Sequence, residues 1–484
     1  MSGRAETTER PQRSGWPVVI ALLVADMVYG FQQTAISPAI PTVQQDLSAS
    51  REWTVWLFSG YLIVGSVAPV FLGKLGDRVG RTRIYTWALV VFTVGSVATA
   101  VSPTIELVVI FRMLQGVGGV VFPLSFAIAT EALSRDKVNT AIGALTGGFG
   151  LGAVLGFPVG GLLAETVSWR WIFGVGAIAL TLAVVMVHRV VPRLGRRVPR
   201  GLDTPGAVLF GGAIAALIVA ITEGPNRGWT APLPLAMFGL AVLLAVGWYV
   251  RETHTPEPLM DLRVLRSRGV LLTNLTSLLG GYAVFGTNIV LPFLLEGTGE
   301  APGARAFGLT AGPLLIGLVL MPRAIGQSLF SPLTGPLVKA VGHRAVFTGG
   351  MVLSALATFG LAAFRSRLWM VMVELAVLGV GFGLVVSLSG SIVALAAEPG
   401  ETGIATSITS VLRRAGGAVG AQVSIAVLAL LAAPGGGPSD TAYTVSFAVC
   451  GGAALAGSVC AALVIPRRRF RTPAPAAGPH DEDY

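Results

Sequence analysis

Charged side chains are rare in this sequence, and a few of them stand inside long apolar runs. Asp26 and Glu374 are the only acids well inside such runs, and Arg112, Arg323, Arg413 and Arg414 are the bases there. A charge at the centre of a membrane helix costs roughly 2.5–3.5 kcal/mol on insertion scales, so each of these residues is read first as functional. Asp26 heads a polar stripe, with Tyr29, Gly30, Gln33 and Ser37 following at i+3, i+4, i+7 and i+11 on one helical face. A stripe this long predicts a face turned to a cavity rather than to lipid. An acid on it suits a carrier that binds and releases a proton, and the plainer alternative is a hydrogen-bonded structural acid. Glu374 reads as a second protonation site or as the anionic contact for a cationic substrate, the alternative being an ion pair with a buried arginine. No nucleophile–base pair, metal cluster or phosphate loop stands out, so neither an enzyme nor a cofactor is expected.

Further polar positions share faces of apolar segments. Asn274, Ser277, Gly281 and Asn288 do so in 269–292, and Thr406, Thr409, Arg413 and Gly417 in 403–432. With Tyr29, Gln32 and Gln33 they are the candidates for a substrate cavity, and helix packing is the competing use. Arg112, Gln115, Gly116 and Gly119 share a face of 106–127. Gly148, Gly152, Gly156 and Gly160 recur at i+4, a small-residue stripe against which another helix can lie closely. The stretch Gly73-Lys74-Leu75-Gly76-Asp77-Arg78-Val79-Gly80-Arg81-Thr82-Arg83 reads as a short charged turn between apolar runs. Its glycines at 73, 76 and 80 permit a tight bend, and Asp77 can pair with Arg78, Arg81 or a helix end. Glu131 is placed to pair with Arg78 or Arg81, which would make a charge latch that opens and closes.

The elements that must position these groups are transmembrane helices. The chain has 484 residues, 53% hydrophobic and 12% charged, with 63 glycines, a composition that suits a polytopic membrane protein. At about 20 apolar residues per span, about fourteen spans are expected: 17–40, 53–72, 84–102, 106–127, 138–163, 171–190, 204–222, 232–250, 269–292, 309–333, 345–364, 368–396, 403–432 and 441–465. The formal charge of +10 sits in short loops between the runs, which reads as topology and excludes a nucleic-acid face. Lysine and arginine gather on the side of the termini, so both termini are expected in the cytoplasm. Trp53, Trp56, Trp169 and Trp171 are expected as an interfacial belt. The two cysteines, Cys450 and Cys460, lie in one apolar run and support no disulfide framework. The first apolar run reads as a retained helix rather than a signal peptide.

An internal repeat organises the spans. Pro332 to Arg344 echoes Pro69 to Arg81, with Gly335, Leu337, Val341 and Gly342 spaced as Gly73, Leu75, Val79 and Gly80, and Lys339 in the place of Asp77. The expected division is a cytoplasmic tail 1–16, a six-helix half 17–190, a linker 191–268 with two inserted spans, a second six-helix half 269–465 and a cytoplasmic tail 466–484. Repeats of this kind place a substrate site between the halves near the midplane.

The stretch 73–83 resembles the loop between helices 2 and 3 of the major facilitator superfamily. Phe111-Arg112-Met113-Leu114-Gln115-Gly116-Val117-Gly118 resembles its helix-4 motif, whose arginine is associated with proton transfer. Gly152-x-x-x-Gly156-Phe157-Pro158-Val159-Gly160-Gly161 is similar to its antiporter motif, with Pro158 one residue late. Trp169 to Phe173, Glu223 to Trp229 and Gly403 to Gly420 extend the resemblance to the drug:proton antiporters with fourteen spans. One departure is that Gln32 stands where that branch has an acid in the outer part of helix 1, and Ser37 where it has an asparagine. The resemblance implies an all-α membrane protein with the major facilitator fold. It implies a bacterial plasma-membrane exporter of lipophilic, often cationic drugs or antibiotics, working as a monomer in the bilayer and coupled to protons with Arg112 taking part; with the usual acid absent, Asp26 or Glu374 has to serve, or the coupling differs. The alternatives are a dedicated exporter of one endogenous metabolite or antibiotic, and a non-transporting sensor with the same fold.

Overall fold

The computed structural model describes residues 15–192, 204–255, 267–296, 312–396, 402–432 and 438–464. The N-terminal half contains α1 (Trp16–Thr34), α2 (Ile40–Asp46), α3 (Arg51–Val79), α4 (Arg81–Val101), α5 (Ile105–Gln115), α6 (Val121–Ala132), α7 (Arg135–Thr166) and α8 (Arg170–Val190). Next come α9 (Thr204–Arg227) and α10 (Pro232–His254). The C-terminal half contains α11 (Arg268–Glu296), α12 (Pro313–Phe330), α13 (Thr334–Val341), α14 (His343–Ala363), α15 (Leu368–Ala396), α16 (Thr402–Leu430) and α17 (Asp440–Val464).

Among the described residues, thirteen helices are long and apolar enough to cross a membrane, where about fourteen are expected. The difference is α9, whose shorter apolar stretch is Val208–Leu217 and which packs along α10. Two spans are interrupted. The first breaks at a 3₁₀ turn, Ser37–Ala39, built around Pro38, which has no N–H for the ladder. The fourth breaks at Gly116–Val120, where Gly-Val-Gly-Gly-Val has little helix propensity.

The charged stretch at 73–83 is not an extended turn. α3 continues through Gly73 and Gly76 to Val79 and α4 begins at Arg81, so Gly80 alone makes the corner, at φ 118°. Gly342 makes the corresponding corner between α13 and α14 at φ 88°. Side chains rarely adopt such backbone angles, so glycine at these two points is what lets consecutive spans reverse without a loop. The repeat read from sequence spacing is thus a repeat of backbone geometry.

Close helix pairs form the core of each half. On α7 the glycine stripe lies against α1: a Cβ at Gly152 would sit 1.9 Å from the Met27 carbonyl oxygen, and one at Gly160 2.0 Å from that of Ala35. The C-terminal half repeats the device, since a Cβ at Gly416 would lie 2.0 Å from the Leu278 carbonyl oxygen and one at Gly420 2.2 Å from that of Tyr282. With no hydrophobic force between helices in lipid, this approach of backbones provides the packing contact. The halves meet along α7 against α12 and α3 against α16.

Trp169 departs from the expected belt. It is wholly buried, and its indole Nε1 donates to Asp46 Oδ2 at 2.9 Å. A buried indole N–H needs an acceptor, and the acid at the end of α2 supplies it. Trp53 and Trp171 are exposed, and Trp56 is half-buried.

Candidate functional site

Asp26 is fully buried on α1. Its Oδ2 accepts a 2.7 Å hydrogen bond from Ser125 Oγ on α6, and its Oδ1 has no partner. The Tyr85 hydroxyl on α4 of the same half is also buried without a partner. A carboxylate with one bare oxygen in an apolar interior is costly, and a proton on that oxygen removes the charge. The arrangement is therefore a place where a proton can be held. Ser125 is the residue that sequence reasoning missed, because a serine among apolar residues on α6 carries no signal of its own.

Arg112 is also fully buried, and its partner is not an acid. Its Nη1 donates to Gln115 Oε1 at 2.8 Å, its guanidinium carbon lies 4.4 Å from the Tyr61 ring centre and 5.5 Å from that of Phe173, and Nε and Nη2 are unpartnered. Cation–π attraction over two rings replaces part of the lost hydration. Gln115 is held in turn by donating to Gly95 O at 3.1 Å and Thr99 Oγ1 at 2.7 Å on α4. Among the described residues, no ion pair joins Arg112 to Asp26.

Glu374 lies apart from these groups. It is half-buried on α15 with its carboxyl against Gly360 of α14, where a Cβ would be 2.3 Å from Oε1. Trp369 and Val373 beside it are exposed. The structure thus separates the two acids: Asp26 points into the N-terminal half, and Glu374 lies in a groove between two helices of the other half. The expected pairing of Glu374 with a buried arginine does not occur among the described residues.

The residues expected to line a cavity divide into two groups. Gln32, at the acid's usual place, is buried and donates from Nε2 to Ser96 Oγ at 2.9 Å while pressing on Gly176, so it packs α1 against α4 and α8. Asn274 Oδ1 accepts from Thr409 Oγ1 at 2.8 Å and packs α11 against α16. The other group faces the meeting of the halves. Tyr29 Oη accepts from Arg414 Nη2 at 2.9 Å, and Arg414 Nη1 donates to the Gly65 carbonyl on α3. Arg414 of α16 therefore reaches across to α1 and α3, while its neighbour Arg413 is half-buried with its Cγ near Gly281 of α11. Gln33 is half-buried, and Asn288 is buried with Oδ1 unpartnered. Arg414 carries the signal of an intramembrane charge, but adjacency to Arg413 hides which of the two crosses.

At the Gly80 corner, Arg81 pairs with Glu131 at 3.6 Å, both side chains about one-third exposed. Arg78 is exposed, Gly76 lies over Arg81, and nothing crowds Gly73. The side chain of Asp77, like that of Thr406, lies outside the described residues. In the antiporter-like stretch, Gly152, Gly156 and Gly160 face α1, whereas Gly161 meets Pro313 of α12 across the halves. Pro158 sits inside α7 and removes a backbone donor there. At the end of the bundle away from Gly80, two bonds between described residues tie the halves together. Gln45 Nε2 donates to Glu296 Oε1 at 2.5 Å, and Leu314 N donates to Glu165 Oε2 at 2.9 Å.

Two six-span halves, two further helices beside them, and charged groups gathered between apolar helices define an all-helical membrane transporter fold. A model described as Major Facilitator Superfamily matches residues 22–322 and 275–482, and the chain belongs to that family. It is 28% identical to the Tetracenomycin C resistance and export protein of Streptomyces glaucescens, over 84% of this chain and 75% of that one. It is 27% identical to the Methylenomycin A resistance protein of Streptomyces coelicolor, over 98% and 99%. A crystal structure of the peptide transporter POT in complex with sulfate superposes with a TM-score of 0.69 at 16% identity, covering 93% of this chain and 95% of that one, a likeness of fold.

Proposed function

We propose that this protein exports lipophilic, drug-like or antibiotic compounds by alternating access, in exchange for protons. The observation that carries the reading is Asp26: fully buried, bonded through one oxygen to Ser125 and bare at the other. A group that must be either neutralised or paid for by its surroundings is suited to taking up and giving back a proton as the halves move. Arg112, buried in the same half, is bonded to Gln115 and rests on the Tyr61 and Phe173 rings. The names of the resistance and export relatives support the efflux direction. The charge carried by the substrate is a separate matter, because the centre of the bundle holds more arginine than acid.

The bonds between the halves at the Gln45 and Glu165 end would have to break for access to alternate, and the Arg81–Glu131 pair lies at the opposite end. The Lys/Arg bias supports placing that opposite end, with both termini, in the cytoplasm of a bacterial plasma membrane. A second reading, export of one antibiotic rather than many, is favoured because two relatives are named for single antibiotics.

The test is an imposed pH gradient in everted membrane vesicles, with wild type beside Asp26→Asn and Glu374→Gln. Addition of a transported compound should partly collapse the gradient in wild type and in Glu374→Gln, and not in Asp26→Asn. Unchanged proton movement in Asp26→Asn would remove the assignment of the coupling acid.

A further inference from the structure

We infer that the substrate site is built for the anionic group, a carboxylate or phenolate, of a flat lipophilic aromatic compound. The inference rests on the exporter reading and names the substrate class of the same site. It is opposite in charge to the cationic substrates that the family resemblance implies.

Four arginines lie inside the spans, and the only acids well inside spans are Asp26 and Glu374. Asp26 is bonded to Ser125, and Glu374 rests against Gly360 between α14 and α15. Among the described residues, no ion pair involves Arg112, Arg323, Arg413 or Arg414. A membrane interior that holds cations without counterions retains them for a ligand or a pathway.

Two of these arginines face the junction of the halves. Arg414 of α16 donates to the Gly65 carbonyl of α3 and, at 2.9 Å, to the Tyr29 hydroxyl of α1. Both acceptors are neutral, and a carboxylate that accepts two parallel N–H bonds is a stronger partner for the same fork. Arg323 of α12 is buried and lies 5.5 Å from the Phe157 ring centre of α7, across the junction. Among the described residues its only side-chain bond is a long one, 3.4 Å from Nη1 to Gln327, and its Nε is unpartnered. At the contact between halves, Arg414 thus has only neutral acceptors, and Arg323 keeps one buried donor, Nε, unpartnered.

The surroundings explain the aromatic part. Phe58 of α3 and Phe285 of α11 meet across the junction at 5.6 Å between ring centres, and Phe382 of α15 joins them at 6.4 Å from Phe285. The Phe285 ring packs on Gly417, one turn beyond Arg413 and Arg414. On the other side, Tyr29 packs against Phe149 with ring centres 5.7 Å apart and planes tilted by 34°. Guanidinium donors and aromatic rings along the junction suit a planar anion, and the arginines repel a cation.

The experiment uses the purified full chain in detergent for binding and everted vesicles for transport, with fluorescein as aromatic anion and ethidium as aromatic cation. Wild type should bind fluorescein saturably, and salicylate rather than ethidium should displace it. Arg414→Gln and Arg323→Gln should each weaken binding about tenfold, the scale of one lost charge-assisted hydrogen bond. Arg414→Lys should recover part of the loss. The wild-type displacement pattern stands independently of whether a variant folds. If wild type binds and exports ethidium but not fluorescein, the anion inference falls and the exporter reading remains. If fluorescein binds but neither dye is exported, the site stands and the exporter reading falls. If neither binds and neither moves, both fall.

Discussion

The two halves share their backbone devices and differ in their chemistry. Gly80 and Gly342 turn the same corner, and the glycines of α7 and α16 bring the same pair of backbones together. Yet the N-terminal half buries an acid, Asp26, beside a serine, whereas the C-terminal half supplies Arg323, Arg413 and Arg414 and keeps its one intramembrane acid in a groove between α14 and α15. Even the tie at the end away from Gly80 is reversed. In the N-terminal half Arg170, at the start of α8, bonds Asp46 at 2.6 Å and the Ser102 carbonyl at 3.2 Å. In the C-terminal half the arginine is Arg365, before α15, and it bonds Asp440 Oδ1 at the start of α17 at 2.5 Å. The lesson is that a duplicated frame tolerates a division of labour. Geometry is kept where backbones touch, and charge is free to diverge where side chains face the space between halves.

The largest effect expected is on coupling. Asp26→Asn should abolish proton movement driven by substrate while leaving binding in place, and Glu374→Gln should change neither. If Glu374→Gln proves to be the damaging one, the division of labour between the halves is drawn the wrong way round. Next comes packing. Gly152→Val and Gly420→Val each drive a side chain into the facing helix, and each should destabilise by about 1–3 kcal/mol, the usual range for overpacking. Thermal unfolding in detergent reads this, and unequal losses would show that the two helix pairs are not equivalent.

The corners should respond less. Gly80→Ala and Gly342→Ala place a side chain at positive φ and should each cost about 1–2 kcal/mol, measured in the same way. Similar values sharpen the repeat, and a silent Gly342→Ala would break it. The smallest effect belongs to the partly exposed Arg81–Glu131 pair. Glu131→Gln should cost about 0.2–1 kcal/mol in stability, less at high salt. A much larger change in transport than in stability would mark the pair as a gate rather than a strut.

Much of this was legible in the chain. Spans follow from length and hydropathy, because lipid requires every backbone group to be bonded within its own helix. The rarity of charge singled out Asp26, Glu374 and Arg112 as candidates for coupling, and it pointed to Arg413 rather than Arg414 for the cavity. The spacing of Gly335 and Gly342 after that of Gly73 and Gly80 showed the duplication. Less was legible about partners. Ser125 and Gln115 look like ordinary helix residues, Trp169 looks like a belt residue, and Gln32 on the polar stripe looks like cavity lining although it fills the space between α4 and α8.

The sequence by itself determined which segments cross the membrane, that glycines mark the turns after the second and tenth spans, and that several charges are buried at a cost. Those depend on local properties: side-chain transfer energies, the φ freedom of glycine and helical period. Only the tertiary structure decided that Arg414 bonds across the halves to Tyr29 and Gly65, that Arg112 rests on rings and an amide, and that Asp26 keeps one oxygen bare. Adjacent residues on a helix point about 100° apart. Which of them meets the opposite half is set by how whole helices rotate into contact, and that is a property of the packing and not of either residue.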